Sequence, residues 1–215
     1  MFGVSKVSLE SPFHLSYPYS LQYSGNLVMV PEHSESEDLS LYRVDQNGVA
    51  SEKESIGPNM RLLDSTIVRF NDKYWLFATH PGADENTNLY IYYSNDLEAP
   101  WSMHAQNPVK RDISNARPAG QFIFHDGKMF RPAQDCRKHY GSGIIVNEVK
   151  TLNENAFEEL PVSEIRPEVG SRYEYGLHTI SSAGDYTVVD GARLQSLIHP
   201  SLDGLGKHLL KTVRA

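Results

Sequence analysis

The sequence holds a single cysteine, Cys136. No intrachain disulfide can form, so the fold does not depend on an oxidising compartment. No apolar run approaches the roughly 20 residues that a membrane helix needs. The N-terminal stretch MFGVSKVSLESPFHLSYPYS has no uninterrupted apolar segment of the signal-peptide kind. These absences lead to the expectation of a soluble cytoplasmic protein without a membrane span. No long basic block occurs and the formal net charge is −7, which argues against a nucleic-acid backbone as the main partner. GxGxxG, Walker and HExxH patterns are missing, as is a GxSxG elbow. The nine histidines are scattered, without zinc-ligand spacing. His139 follows Cys136 closely, but nothing else suggests a cysteine protease.

Strand-forming material is plentiful. The 215 residues include 12 Tyr, 8 Phe and 2 Trp, and 40% are hydrophobic, enough for a sizeable core. Strand-like runs separated by turn chemistry recur along the chain. In the first unit Tyr19 to Tyr23 alternates, Ser24-Gly25-Asn26 turns, and Leu27 to Val30 forms a buried run; Leu39 to Val44 is a third strand. The second unit pairs Ile67 to Phe70 with Tyr74 to Ala78 across Asn71-Asp72-Lys73, and adds Leu89 to Tyr93. The third unit opens at Ala116, runs through Phe122 to Phe124, turns at His125 to Lys128, resumes at Met129 and ends near Asp135 and Cys136. Its third strand is expected at Gly143 to Val149, with TLNENAFEEL a short helical or irregular piece. The fourth unit has Gly176 to Ile180, a turn at Ala183-Gly184-Asp185, and Tyr186 to Val189. The tail after residue 195 reads as one strand and a short basic helix.

Aligning the polar residue that opens each unit pairs Ser16 with Asp64, Arg117 and His178. Spacings near 50 residues with three or four strands per unit are the signature of propeller blades. The expected fold is all-β: residues 1–215 form a single β-propeller domain with about four blades visible, and the ring is a four-bladed closure, a five-bladed form whose remaining blade is built from both termini, or a fragment lacking a complete first blade. A tandem of hairpins in a sandwich is the competing architecture. An incomplete ring would expose strand edges, which proteins usually cover. A homodimer or a missing partner segment would supply that cover.

In a propeller the first strand of each blade lines the channel, so strand starts converge at one mouth. The converging set is Ser16, Tyr17, Asp64, Arg117 and His178. The ends of the second strands, including Glu32, Thr79, His80, Gln134, Asp135 and Asp190, are expected lower in the ring or between blades. Carboxylate, guanidinium and imidazole in one funnel supply acid, base and anion-binding capacity. Each residue also has an ordinary structural explanation. Asp64 can cap a turn, Arg117 can pair internally with Asp64 or Asp135, and His178 can be a satisfied core histidine. Glu32 can sit on a surface loop, Asp135 can hold a blade contact, and Cys136 reads as a small buried filler. No resident cofactor or metal is expected; a calcium or sodium ion in the channel, touched by His178 or Asp64, is the exception left open.

The segments HLSYP…MVPE, LDSTIV…YWLFAT, LYIYYSNDLEAPW…NPV, ARPAGQF…GKMFRPAQDC…YG and GLHTIS…VVDG together resemble the propeller domain at the N-terminus of plant glucosamine inositolphosphorylceramide transferases and related bacterial proteins. That domain in turn resembles the propellers of glycoside hydrolase family 43. The match runs in order from about Phe13 to Gly191, and RPAQDC with its upstream ARPAG is the most specific piece. The resemblance implies a carbohydrate-related role. Three readings follow. In the first, a sugar or sugar-phosphate binds in the channel through Tyr17, Asp64, Arg117 and His178, as an accessory to glycan biosynthesis. In the second, the domain is a glycosidase that uses Asp64 with Glu32 or Asp135 as acid and base. In the third, it is a scaffold propeller for protein partners, a reading that an internal Asp64–Arg117 pair would favour.

Overall fold

The structure is a computed structural model that describes residues 7–196 and 210–214. Three four-stranded antiparallel meanders follow one another. The first comprises β1 (Ser16–Tyr23), β2 (Asn26–Glu32), β3 (Leu39–Val44) and β4 (Ala50–Gly57). In the second, β5 (Leu63–Phe70), β6 (Lys73–Thr79), β7 (Asn88–Ser94) and the short β8 (Ser102–Met103) pair in order, and β9 (Lys110–Arg111) pairs with β7. The third holds β10 (Ile123–His125), β11 (Lys128–Gln134), β12 (Ile144–Leu152) and β13 (Phe157–Ile165). Two hairpins complete the described chain: β14 (Ile180–Ala183) with β15 (Tyr186–Val189), and β16 (Ala192–Ser196) with β17 (Leu210–Arg214).

Tight turns set the hairpin registers. Asn71 and Asp72 have φ of 50° and 61°, Asp126 and Gly127 49° and 71°. Positive φ at both central residues matches the twist of the flanking strands.

Packing shows how the sheets are ordered. On β6 alternate residues face opposite ways. Leu76 and Ala78 join Val28, Val30 and Leu41 of the first sheet in one cluster, whereas Trp75 and Phe77 join Met129, Leu152 and Phe157 of the third sheet in another. A smaller cluster of Ala119, Ile144, Leu177 and Ile180 ties the third sheet to β14. The second sheet is thus packed on its neighbours by both faces, which is why KYWLFAT reads as a continuous apolar run rather than alternating. Burying each such side chain stabilises the fold by about 1.5–3 kcal/mol. The blades are those of a β-propeller.

The elements differ from the sequence expectation in four places. TLNENAFEEL is the β12–β13 hairpin: the Asn153 side chain accepts from the amides of Asn155 and Ala156 at 3.0 Å each, and Leu152 and Phe157 turn into the core. Such an Asx-turn gives the polar residues a role in a turn rather than a helix. The outer strands β4 and β8 are further additions; they are polar, short or half-exposed and carry weak periodicity. Residues 176–179 precede the strand β14 instead of forming it. In the tail, Leu210–Arg214 is a strand paired with Ala192–Ser196, not a basic helix; residues 197–209 lie outside the described residues.

Candidate functional site

The first two inner strands begin with the same irregularity. The β1–β2 register shifts between Ser16 and Tyr19, and the β5–β6 register between Leu63 and Thr66. Inside each bulge one residue takes a left-handed backbone, Tyr17 with φ 44° and Asp64 with φ 50°. Bulges re-aim side chains, and here both reach the segment that leads into the third blade, Tyr17 meeting Gly120 and Asp64 meeting Arg117. Tyr17 is therefore the counterpart of Asp64; Ser16, the partner expected from the alignment, lies one position earlier. Aspartate adopts this backbone readily, tyrosine does not. Tyr17 is held there by its hydroxyl, which lies 2.7 Å from Thr66 Oγ1 and accepts from the Gly120 amide at 2.5 Å. Burial, and then the Asp64 charge, push the Tyr17 phenol well above its ordinary pKa.

On the third blade Arg117 precedes Pro118, which bridges to Ala133 of β11. Its guanidinium reaches back to the second blade. Arg117 Nε donates to Asp64 Oδ2 at 2.5 Å, and Nη1 to Asn86 Oδ1 at 3.0 Å, with Glu85 Oε1 3.5 Å away. Gln134, at the end of β11, donates to the same Asp64 oxygen at 2.8 Å. Asp64 is 3% exposed and Arg117 6%. Burial alone would lower the guanidinium pKa; the Asp64 charge outweighs it and raises it.

The ends of the second strands lie closer to this centre than expected. Besides Gln134, Glu32 reaches it: Glu32 Oε2 accepts from the Asp64 amide at 2.8 Å, and Oε1 from the Ser16 hydroxyl at 3.1 Å. Burial and then the neighbouring Asp64 charge raise the Glu32 pKa. The antiparallel pairing explains this, because the end of a second strand sits beside the start of the first. Asp135 is engaged elsewhere. Its carboxylate accepts from Arg137 at 2.8 and 2.9 Å and pairs with Arg166 at 2.6 Å. Burial opposes ionisation, but the arginines prevail and hold its pKa far below the usual range. Cys136 is buried, and burial raises its thiol pKa.

His178 joins the centre through an aromatic relay. The Arg117 guanidinium lies 4.8 Å from the ring centroid of Tyr140, which meets His178 edge-on at 5.3 Å. His178 Nδ1 contacts Asp190 Oδ2, and Asp190 Oδ1 accepts from the amides of His178 and Thr179. Burial would raise the Asp190 pKa; the contacts with His178 hold it down to about 2.

Two cavities are lined by neighbours of the buried pair. One of about 880 Å³ lies between Tyr17–Ser20 of β1 and the β14–β15 hairpin, with Tyr173 and Val188 on its walls. The other, about 380 Å³, is lined by His139, Tyr140, Tyr175, His178 and Asp190. Tyr17 and His178 thus line cavities, whereas Asp64 and Arg117 lie behind them. Tyr140, Tyr175 and Asn86 were not among the sequence candidates. The one available signal is the repeated Tyr-Gly pair, Tyr140-Gly141 and Tyr175-Gly176. A Cβ on Gly176 would fall 2.3 Å from the Gly141 carbonyl oxygen, so the bare glycines let the two segments meet. Among the described residues no group of three or more His, Cys, Asp or Glu side chains is arranged to hold a metal ion, and no helix is long and apolar enough to cross a membrane.

Solved structures share this architecture at low sequence identity. A glycoside hydrolase family 43 enzyme of Xanthomonas citri, complexed with xylotriose, superposes with a TM-score of 0.57 at 14% identity, covering 86% of this chain and 68% of that one. An α-L-arabinofuranosidase of Clostridium thermocellum gives 0.55 at 11% identity, covering 94% and 68%. The fold is therefore a β-propeller of the five-bladed, family 43 type. The chain belongs to the family described as glucosamine inositolphosphorylceramide transferase 1, N-terminal, whose profile matches residues 2–175. Relatives called glucosamine inositolphosphorylceramide transferase 1 from Oryza sativa subsp. japonica and Arabidopsis thaliana are each 32% identical, over 204 and 205 residues. The alignments cover 88% of this chain but only 27% of those proteins.

Proposed function

We propose that this propeller binds a sugar or sugar-phosphate at the mouth of its channel and acts as an accessory, non-catalytic module in glycan biosynthesis. His178 presents the binding surface in the smaller cleft, Tyr17 lines the neighbouring cavity, and Asp64 and Arg117 behind them fix the shape of both. The observation that carries this reading is the commitment of the carboxylates. Asp64 is held by Arg117 and Gln134, and Asp135 by Arg137 and Arg166, beside a cleft walled by His178 and aromatic rings. The names of the similar proteins, glucosamine inositolphosphorylceramide transferase 1 and α-L-arabinofuranosidase, both refer to carbohydrates.

Isothermal titration with monosaccharides, nucleotide sugars and sugar-phosphates tests the proposal. Saturable binding that weakens in His178→Ala is expected; no binding by any of them removes it. Two observations favour other readings. The closure of Arg117 on Asp64 favours a scaffold without a ligand, which the same titration decides. The raised pKa of Glu32 beside Asp64 favours a glycosidase that uses this pair. That reading requires hydrolysis of aryl glycosides that collapses in Glu32→Gln and in Asp64→Asn. As for partners, β15 is exposed along its length and carries no charge, whereas β4 and β13 contain glutamates. Among the described residues no strand other than β14 pairs with β15, and an edge of this kind suits a second copy or a partner segment. Light scattering that returns a monodisperse monomer would exclude the second copy.

A further inference from the structure

The cleft of about 380 Å³ distinguishes between the two ligand types that the proposed function leaves together. We propose that it takes an uncharged saccharide unit, read through imidazole nitrogens and aromatic faces, and that it rejects phosphorylated sugars. The inference rests on the sugar-binding reading above.

Polarity comes first. The His139 Nδ1 lies 3.1 Å from the Tyr140 carbonyl oxygen, which can only accept, so this nitrogen carries the hydrogen. The Nδ1 of His178 faces the Asp190 carboxylate in the same way. A partner on Nδ1 fixes which nitrogen carries the hydrogen, so that Nε2 of each ring accepts when the ring is neutral and donates when it is protonated. Either role suits a sugar hydroxyl, which both donates and accepts.

Charge comes next. Among the described residues lining the cleft there is no lysine or arginine. Arg117, behind Tyr140, is matched by Asp64 and approached by Glu85. Whatever the state of His178, its pair with Asp190 carries no net positive charge. A phosphate needs charge-assisted donors or a cluster of backbone amides, and the amides of His178 and Thr179 are already given to Asp190.

Shape completes the set. His139 and Tyr175 stack at 4.1 Å with an interplanar angle of 7°, and both half-buried rings line the cleft. The negative face of an aromatic ring attracts the weakly positive C–H face of a pyranose. The volume lies within the ordinary range of small-molecule pockets.

The experiment titrates the full chain with glucose, galactose, mannose and N-acetylglucosamine, each against its own 6-phosphate. At least one neutral sugar is expected to bind at least tenfold more tightly than its phosphate, and Tyr175→Ala and His178→Ala are each expected to weaken that binding at least tenfold. A phosphate that binds more tightly than its parent overturns this inference and leaves the proposed function standing. Binding of neither kind overturns both. Neutral-sugar binding untouched by the cleft variants also overturns the inference, since the sugar then sits elsewhere. If circular dichroism shows His178→Ala to be unfolded, the half-buried Tyr175→Ala decides alone.

Discussion

Removing the arginine from the Asp64–Arg117 pair should unfold this protein far more readily than its single interaction suggests. In Arg117→Met the Asp64 carboxylate stays 3% exposed, with Gln134 as its remaining side-chain donor. Breaking a buried pair from one side leaves an uncompensated charge and costs about 3–5 kcal/mol. With a urea slope of roughly 2–3 kcal/mol per molar for a domain of this size, the unfolding midpoint should fall by about 1–2.5 M. The companion Asp64→Asn keeps the shape and backbone preference of Asp64. It strands the guanidinium instead, although Asn86 at 3.0 Å and Glu85 at 3.5 Å soften the loss. The decisive variant combines both changes. With neither charge present, much of the stability should return, because no uncompensated charge is left buried. Equilibrium urea denaturation of the four proteins gives the coupling energy directly. If Arg117→Met costs less than about 1 kcal/mol, or the double variant is no better than the sum of the singles, then the pair is not the dry, mutually dependent unit described.

Three further outcomes follow from the same geometry. Gly120 has φ 107°, and a Cβ there would lie 1.9 Å from the Ile180 carbonyl oxygen; Gly120→Ala should cost about 3 kcal/mol or more in denaturant melts and loosen β14 from the third blade. Glu32 holds its proton more tightly in the folded protein than in the unfolded chain, because burial and the Asp64 charge raise its pKa. Its ionisation therefore weakens the fold as pH rises through that pKa, and Glu32→Gln should be neutral or stabilising at pH 7 by thermal unfolding. Asp190 has the opposite sign. Its carboxyl is lowered from 3.8 to about 2, so its contribution is complete above the unfolded pKa and is lost as pH falls from about 4 through 2, roughly 2 kcal/mol in all. Asp190→Asn should flatten that part of the acid-unfolding curve.

The blades were legible because their signals are local. Asn71-Asp72 and Asp126-Gly127 announce their turns, and runs such as Leu89 to Tyr93 announce strands buried on both faces. The outer strands were harder to read. Phe157–Ile165 has one buried residue at its start and exposed or half-exposed positions after it, so no period survives to mark it. The candidate site was legible as a set of inner-strand starts, since the repeat brings Tyr17, Asp64 and Arg117 to one end of the ring. What could not be read was which of them face a cavity. That depends on a one-residue bulge, on the reach of Arg117 across to the neighbouring blade, and on Tyr140 filling the space between it and His178. None of these leaves a mark in composition or spacing.

The different residues at the equivalent positions explain why the charged centre satisfies itself and why the proposed ligand site lies to one side. Consecutive blades offer Tyr17, Asp64 and Arg117 at these positions. Three like charges at such close range could not all ionise, and three neutral groups would leave room for solvent. Here an anion sits between a cation and a phenol, with Glu32 and Gln134 binding from below, so that the ring centre satisfies itself. Charge spent in this way cannot also hold a phosphate. The same pair nonetheless acts on the cleft, because Arg117 lies over Tyr140 and Tyr140 packs on His178. Replacing Tyr140 with Leu should therefore leave the Asp64–Arg117 pair intact while loosening the orientation of His178. The measurable signature is weaker saccharide binding with an unchanged urea coupling energy between residues 64 and 117. A loss of that coupling in Tyr140→Leu would show instead that the pair and the cleft are a single unit.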